Sequence, residues 1–498
     1  MVDSSRPRRV VTDSEDVIPA RFFDSTPMVE VIMRWMIRVD NVLDAEKLHK
    51  SLAKLLETGN WRRLAGRLRL NKQKKVEIHI PKVFSSERPA VRFEHVVFET
   101  NIRDHPLAGR FPQATENPSI QGDADAFREL GSLGGVRYPE TLKDYYSSDE
   151  PPFALQVISF RDATLVSLNF PHAVTDAVGL SALIENWCKV LAGREDEVVP
   201  LPTDDPMDRI DAQHEGAEAK HVLDDKKVAG FGLVIFGLYF LWDLLFGPKM
   251  QTRVLFLPAR SVAALKQRAI SDLQDPEKNP GPFVSEGDII TSLGIKSIAS
   301  ALGDSSTRSL AILNVFELRS RFPTSKIFDT SKFAHVQNAF FVMTCILSGQ
   351  EARKLSLGQT ALRMRKTLVE QTSEPQVRAL VREQRAALKN TGRPVLYAEK
   401  NSILAPMTNW SKGRFYDIVD FGPAVLDSPA ETTTLTPESR QRRGKPSFFF
   451  ALDASPKKNP THRNVWNILG KDPQGNYWIN GMLSPATWEK VEEELRRL

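Results

Sequence analysis

Cysteine is nearly absent: Cys188 and Cys345 are the two in 498 residues, both among apolar neighbours. That excludes a disulfide-stapled scaffold, and no Cys/His cluster has the spacing of a zinc site, so no metal is expected. Such usage fits a reducing, cytoplasmic setting. No charge of one sign dominates either. The 67 Lys and Arg against 62 Asp and Glu leave a net charge of +5. This surplus would suit an anionic small ligand, but it is spread through mixed stretches and offers no basic face to a nucleic acid. No apolar core follows the basic residues of the N-terminal "MVDSSRPRRVVTDSEDV", so it does not read as a secretory signal. No repeat period marks a solenoid. Long apolar runs are missing with one exception, "VAGFGLVIFGLYFLWDLLF", Val228 to Phe246, which holds a single charge, Asp243. Its length would cross a bilayer. Its three glycines and late aspartate equally suit a buried helix or one lying in a membrane surface.

With 41% apolar and 26% charged residues the rest is ordinary globular sequence, and its length allows two or three cores, with two domains expected. "DAEKLHKSLAKLLETG" predicts an amphipathic helix capped by Asp44, and "KKVEIHIP" alternates like a strand. "ALQVISF" and "TLVSLNF", joined by "RDA", predict a β-hairpin. An acidic, irregular stretch from Pro200 to Lys227 is the best linker candidate. Beyond it, "TRVLFLPARSVAALKQRA" reads as strand then helix, and "VSEGDIITSLGIKSIASAL" as a helix capped by Ser285 or Asp288. "KFAHVQNAFFVMTCIL" reads as a strand, "EPQVRALVREQRAAL" as a charged helix and "SPAETTTLTPESRQRRGKPS" as a surface loop. "NYWINGMLSPATWEKVEEELRRL" closes with a strand and an amphipathic helix. The pattern is α/β, in two roughly equal halves.

The chemistry centres on "NFPHAVTDAVGL", Asn169 to Leu180. Spacing alone carries no weight, since His221 and Asp225 repeat it in a charged stretch that reads as a loop. Context separates them. Pro171 breaks a strand, His172 follows at once, and a helical pattern starts after Asp176, so His172 stands on rigid elements and can face a cleft. Histidine is the natural base for activating a hydroxyl near neutral pH. Asp176 can orient its ring or cap the helix. A second string, "TNWSKGRFYDIVDFGPA", carries Asp420, Phe421 and Gly422. A kinase reading of it fails, because no His-Arg-Asp loop or glycine-rich phosphate loop accompanies it.

Together "HAVTDA" and "DFGPA" resemble the His-x-x-x-Asp-Gly and Asp-Phe-Gly-Trp-Gly motifs of the BAHD family of CoA-dependent acyltransferases, in the branch of fungal secondary metabolism. "LAGRLRL", "VSEGDIITS", "ELRSRF" and "TNW" extend the likeness over nearly the whole chain. Ala177 replaces the motif glycine, and Pro423-Ala424 the Trp-Gly, which puts the local turn in doubt. The resemblance implies the chloramphenicol acetyltransferase-like fold: two similar mixed-sheet domains packed around a shared tunnel. Residues 1–200 would carry the His motif, 201–250 the crossover with the hydrophobic segment 228–246, and 251–498 the Asp-Phe-Gly motif. It further implies an acyl-CoA, expected to be acetyl-CoA, as co-substrate and a hydroxyl of a hydrophobic metabolite, such as a terpenoid or polyketide, as acceptor. His172 would be the general base. Asp176 would pair with Arg319 and support the loop, Thr408 and Trp410 would steady the oxyanion, and Ser285 would lie near the pantetheine arm. Asp420, Phe421 and Gly422 would be structural, and the protein a monomer. Other classes stay open: a catalytically silent ligand-binding member, an N-acyltransferase, or a condensation-type enzyme, although Pro171 stands where condensation domains have a second histidine. A single membrane span would separate the halves that share the tunnel. That leaves segment 228–246 as a buried or tunnel-mouth helix or, favoured because it is apolar on nearly all sides, a peripheral membrane contact.

Overall fold

Fifteen strands form among the residues described by the computed structural model, which are 14–135, 137–211, 219–274, 281–322, 327–426, 442–454 and 462–498. The first half of the chain contributes β1 (Glu15–Pro19), β2 (Ile32–Val39), β3 (Arg67–Leu70), β4 (Val76–Pro81), β5 (Arg92–Val97), β6 (Ser119–Gln121), β7 (Ala154–Ser159) and β8 (Thr164–Pro171). The second half adds β9 (Gln251–Leu257), β10 (Ser309–Glu317), β11 (Phe340–Ser348), β12 (Ile403–Asn409), β13 (Pro446–Asp453), β14 (Val465–Lys471) and β15 (Tyr477–Leu483). The N-terminal basic stretch up to residue 13, residues 212–218 of the linker and most of the loop Ser428–Ser447 lie outside the described residues.

Two mixed sheets dominate. One has the order β13-β2-β8-β7-β5 and the other β11-β10-β12-β14-β15-β9-β6, while β1, β4 and β3 make a small third sheet. Each half lends a strand to the sheet of the other: β13 pairs with β2, and β6 with β9. The hairpin β7–β8 is buried at every position, its polar side chains Gln156, Ser159, Thr164, Ser167 and Asn169 included. Against this sheet lie the helices Ala45–Leu56 and Ala177–Leu191, joined by the Trp187 indole, which donates to the Ser51 hydroxyl at 2.9 Å. Asp44 caps the first of them through the Lys47 amide. The seven-stranded sheet carries a second core around the helix Glu286–Ala301, where Gly294 lies so close to the Trp466 ring that a methyl group would overlap it.

Two sequence expectations change. The stretch "KFAHVQNAFFVMTCIL" is a strand only from Phe340 onward. Before it, side chains take several of the backbone groups: Arg319 donates to the carbonyls of His335 and Gln337, and Asp176 and Asp24 accept from the amides of Ala339 and Asn338, while the Ala339 carbonyl accepts from the Leu318 amide and the Ala334 amide donates to the Pro200 carbonyl. The apolar segment forms the helix Gly230–Phe246, and only Phe236 of it is buried. It is therefore not a buried helix. Among the described residues, no helix is long and apolar enough to cross a membrane.

Candidate active site

The end of β8 passes directly into a short turn, His172–Val174, and then into the helix Ala177–Leu191. Pro171 is the last residue of the strand, and the His172 amide still donates to the Val31 carbonyl of β2's approach at 2.8 Å. The ring therefore projects from the rim of a fully buried strand. It is half-buried, sits 5.5 Å from the Phe340 ring and lines a cavity of about 650 Å³. Walls come from both sheets: Met33, Ala451 and Leu452 belong to the first, and Phe316, Thr408 and Asn467 to the second. Burial pushes the His172 imidazole below its ordinary pKa, opposed by its own backbone, the charge of Asp176 and Asn338. The ring is thus neutral near pH 7.

Asp176 does not touch that ring. It caps the helix, accepting from Gly179 at 2.8 Å, and its carboxylate meets Arg319 Nη2 at 3.0 and 3.1 Å, with a fourth bond from the Ala339 amide at 2.8 Å. Both side chains of the pair are less than a tenth exposed. Of the two sequence alternatives, orienting the ring or capping the helix, the cap is realised, with an ion pair to the other half added. A Cβ at Gly179 would strike the Val336 carbonyl, so the turn and the segment before β11 can approach only with glycine there.

Sequence reasoning missed Asn338 and Asp24. The Asn338 side-chain amide donates to the His172 carbonyl at 2.9 Å and to Asp24 Oδ1 at 2.8 Å. These partners lie 166 and 314 positions away along the chain, and no local pattern marks them. Burial pushes Asp24 up to about 6, against the hydrogen bonds from Asn338 and the charge of Arg21. The folded value lies above the ordinary 3.8, so the folded state binds more protons between these values, and the group's contribution to stability falls as pH rises through that window. Asp24→Asn keeps the accepting oxygen and is expected to flatten this part of the curve in urea midpoints measured from pH 4 to 6. An unchanged slope would rule it out. His335, held low at about 4 by burial, titrates in both proteins and cancels in the difference.

The remaining predicted residues divide. Thr408 and Trp410 line the cavity at the end of β12, where Thr408 Oγ1 donates to Asn467 Oδ1 at 2.6 Å. Ser285 also lines it, but as a helix cap: it exchanges bonds with Asp288 and accepts from Arg365 Nη2 at 2.8 Å. Arg365, Arg321 and Lys412, which the sequence did not single out, stand on the same wall, and Lys412 pairs with Glu317 at 2.7 Å. Asp420, Phe421 and Gly422 do not line the cavity. Asp420 Oδ1 accepts from the Gly422 amide at 3.0 Å, and the buried Phe421 packs 4.9 Å from Trp187. Proline at position 423 suits the start of the short turn Gly422–Ala424, so the departure from Trp-Gly leaves an ordered turn. His221, read as a loop histidine, is buried and stacks on Tyr397, away from the cavity.

A neutral histidine at a strand end, in a cavity walled by two mixed sheets that exchange strands, defines a class. The sequence profile of the Transferase family matches residues 138–442, and the chain belongs to that family, the BAHD-type acyltransferases. It is 36% identical over 490 residues to the O-acetyltransferase PaAT-2 of Phomopsis amygdali, covering 96% of this chain and 97% of that one. To the acetyltransferase BOT5 of Botryotinia fuckeliana it is 34% identical over 502 residues, covering 97% and 90%. Among solved structures, F. graminearum TRI101 complexed with coenzyme A and T-2 mycotoxin is similar with a TM-score of 0.64 at 17% identity, covering 97% and 98%. Vinorine synthase is similar at 0.55 and 14%, covering 99% and 95%. At these identities the likeness to the solved structures is one of fold.

Proposed function

We propose that the protein transfers the acyl group of a CoA thioester, acetyl in the first instance, to a hydroxyl of a hydrophobic secondary metabolite such as a terpenoid or polyketide, with His172 as general base. The observation that carries this reading is the position of the His172 ring in the wall of a cavity reached by both sheets, where burial lowers its pKa. The imidazole takes the acceptor's proton as its oxygen attacks the thioester carbonyl. The tetrahedral intermediate then breaks its carbon–sulfur bond, and the proton passes to the departing thiolate, releasing ester and free CoA thiol. Thr408 gives its one hydroxyl hydrogen to Asn467, so in this arrangement it fixes the wall. The Trp410 indole N–H, which has no protein acceptor among the described residues, is the group left to donate to the oxyanion. Arg321, Arg365 and Lys412 supply cations for a phosphate-bearing donor, and Ser285 serves by holding Arg365.

The test is to incubate the full chain with acetyl-CoA and hydroxylated terpenoids or polyketides and follow thiol release and ester formation. Absence of both with every acceptor would count against the reading. The pH profile adds a sharper check. Because the His172 pKa is lowered, the neutral base survives as pH falls through the ordinary imidazole value of about 6.5. The acid limb of kcat/KM is expected below that value, and a limb at or above it would contradict a buried base.

A further inference from the structure

The helix Gly230–Phe246 presents a face that nothing among the described residues covers. Phe231, Val234, Leu238, Trp242 and Leu245 recur at helical spacing along it, each more than half exposed. Monomers rarely expose a contiguous apolar patch of more than a few hundred Å² unless it has a partner. The one charge of the helix is withdrawn from this face. Asp243 meets Arg308 in a two-point ion pair, Oδ1 at 3.1 and Oδ2 at 2.8 Å, and the same guanidinium covers the Tyr239 ring at 4.9 Å.

The inward side explains where the helix sits. Phe236 belongs to a small apolar cluster with Ala311 of β10 and Ala398, against which Leu404 of β12 packs. Along β12 the same sheet face continues through Pro406 and Thr408, which line the cavity. These lie two and four residues on, about 7 and 13 Å at the rise of a strand. The far end of the helix is held close by as well: Arg463 donates to the Pro248 carbonyl at 3.1 Å, and the neighbouring His462 is a cavity residue. The apolar face thus lies beside one end of the cavity. Lys249 and Lys400 are exposed at its edge, with no carboxylate partner among the described residues. Lys400 stands one residue before Asn401, whose carbonyl accepts from Arg308.

We infer that this helix lies in the surface of a lipid bilayer containing anionic lipids and holds the adjoining end of the cavity against it, so that a hydrophobic acceptor enters from the membrane. The apolar stripe with Trp242 is what an interfacial helix buries below the headgroups, and the fringe of lysines matches anionic headgroups. The inference rests on the cavity being the acyl-transfer site, but docking itself is measured without substrates. The full chain is floated with vesicles of phosphatidylcholine and phosphatidylserine, beside Leu238→Asp/Trp242→Asp, two outward positions whose change leaves Phe236 seated. Wild type is expected to rise with the vesicles and the double variant to stay behind, while both turn over a water-soluble acceptor equally and give the same circular dichroism. Equal flotation of both proteins, or flotation of neither, would overturn the inference. So would elution of wild type as a dimer that the double variant splits, since a second copy would then own the face. His172→Ala should float like wild type, so loss of chemistry and loss of docking are read separately.

Discussion

Replacing His172 by alanine is expected to lower acyl transfer about 10²–10⁴-fold, the usual contribution of a positioned general base. Little of the fold should go with it. The strand-end geometry is held by backbone bonds that survive the substitution, from the His172 amide to Val31 and from Asn338 to the His172 carbonyl. The urea midpoint should therefore move far less than the rate. His221→Ala gives the contrasting control. Its ring is buried on Tyr397 and remote from the cavity, so it should lose stability and keep turnover per folded molecule. Thiol-release kinetics together with urea unfolding separate the two. Wild-type turnover in His172→Ala would remove the base from the mechanism.

The second large effect is on the fold. Asp176→Ala is expected to cost about 3–5 kcal/mol, because it strands a buried guanidinium and does not merely delete a favourable pair. It also removes the helix cap at Gly179 and the acceptor of the Ala339 amide. Asp176→Asn retains an acceptor for the cap and should cost less. Arg319→Met alone leaves the carboxylate buried, while Asp176→Asn/Arg319→Met removes both charges. The double variant is thus expected to lose less stability than the sum of the singles, a coupling read from the four unfolding midpoints. Additive losses would show that the pair does not bind the halves together. Activity should fall with stability here, since the same carboxylate anchors the turn that bears His172.

Part of this architecture was legible from short windows. The strand, the proline break, the histidine and the capped helix are all written within Thr164 to Leu191, because strand propensity, proline geometry and capping act between residues at most about four apart. The caps at Asp44 and Ser285 were readable for the same reason. The segment before β11 misled because its residues have a strand-like composition. Their backbone groups are instead claimed by Arg319, Asp176 and Asp24, none of which is near in sequence.

The chain by itself determined the α/β class, the family likeness and the histidine at the strand end. Only the tertiary structure decided that Asp176 caps its helix and does not orient the histidine ring, and that Asn338 ties Asp24 to the backbone of His172. It also decided that β6 and β13 change sheets, and which side of the helix Gly230–Phe246 faces outward. The physical reason is range. Local propensity acts over a turn or two of chain, whereas ion pairs, orphaned backbone groups and apolar faces are satisfied by whatever the packing of distant elements brings within a few ångströms.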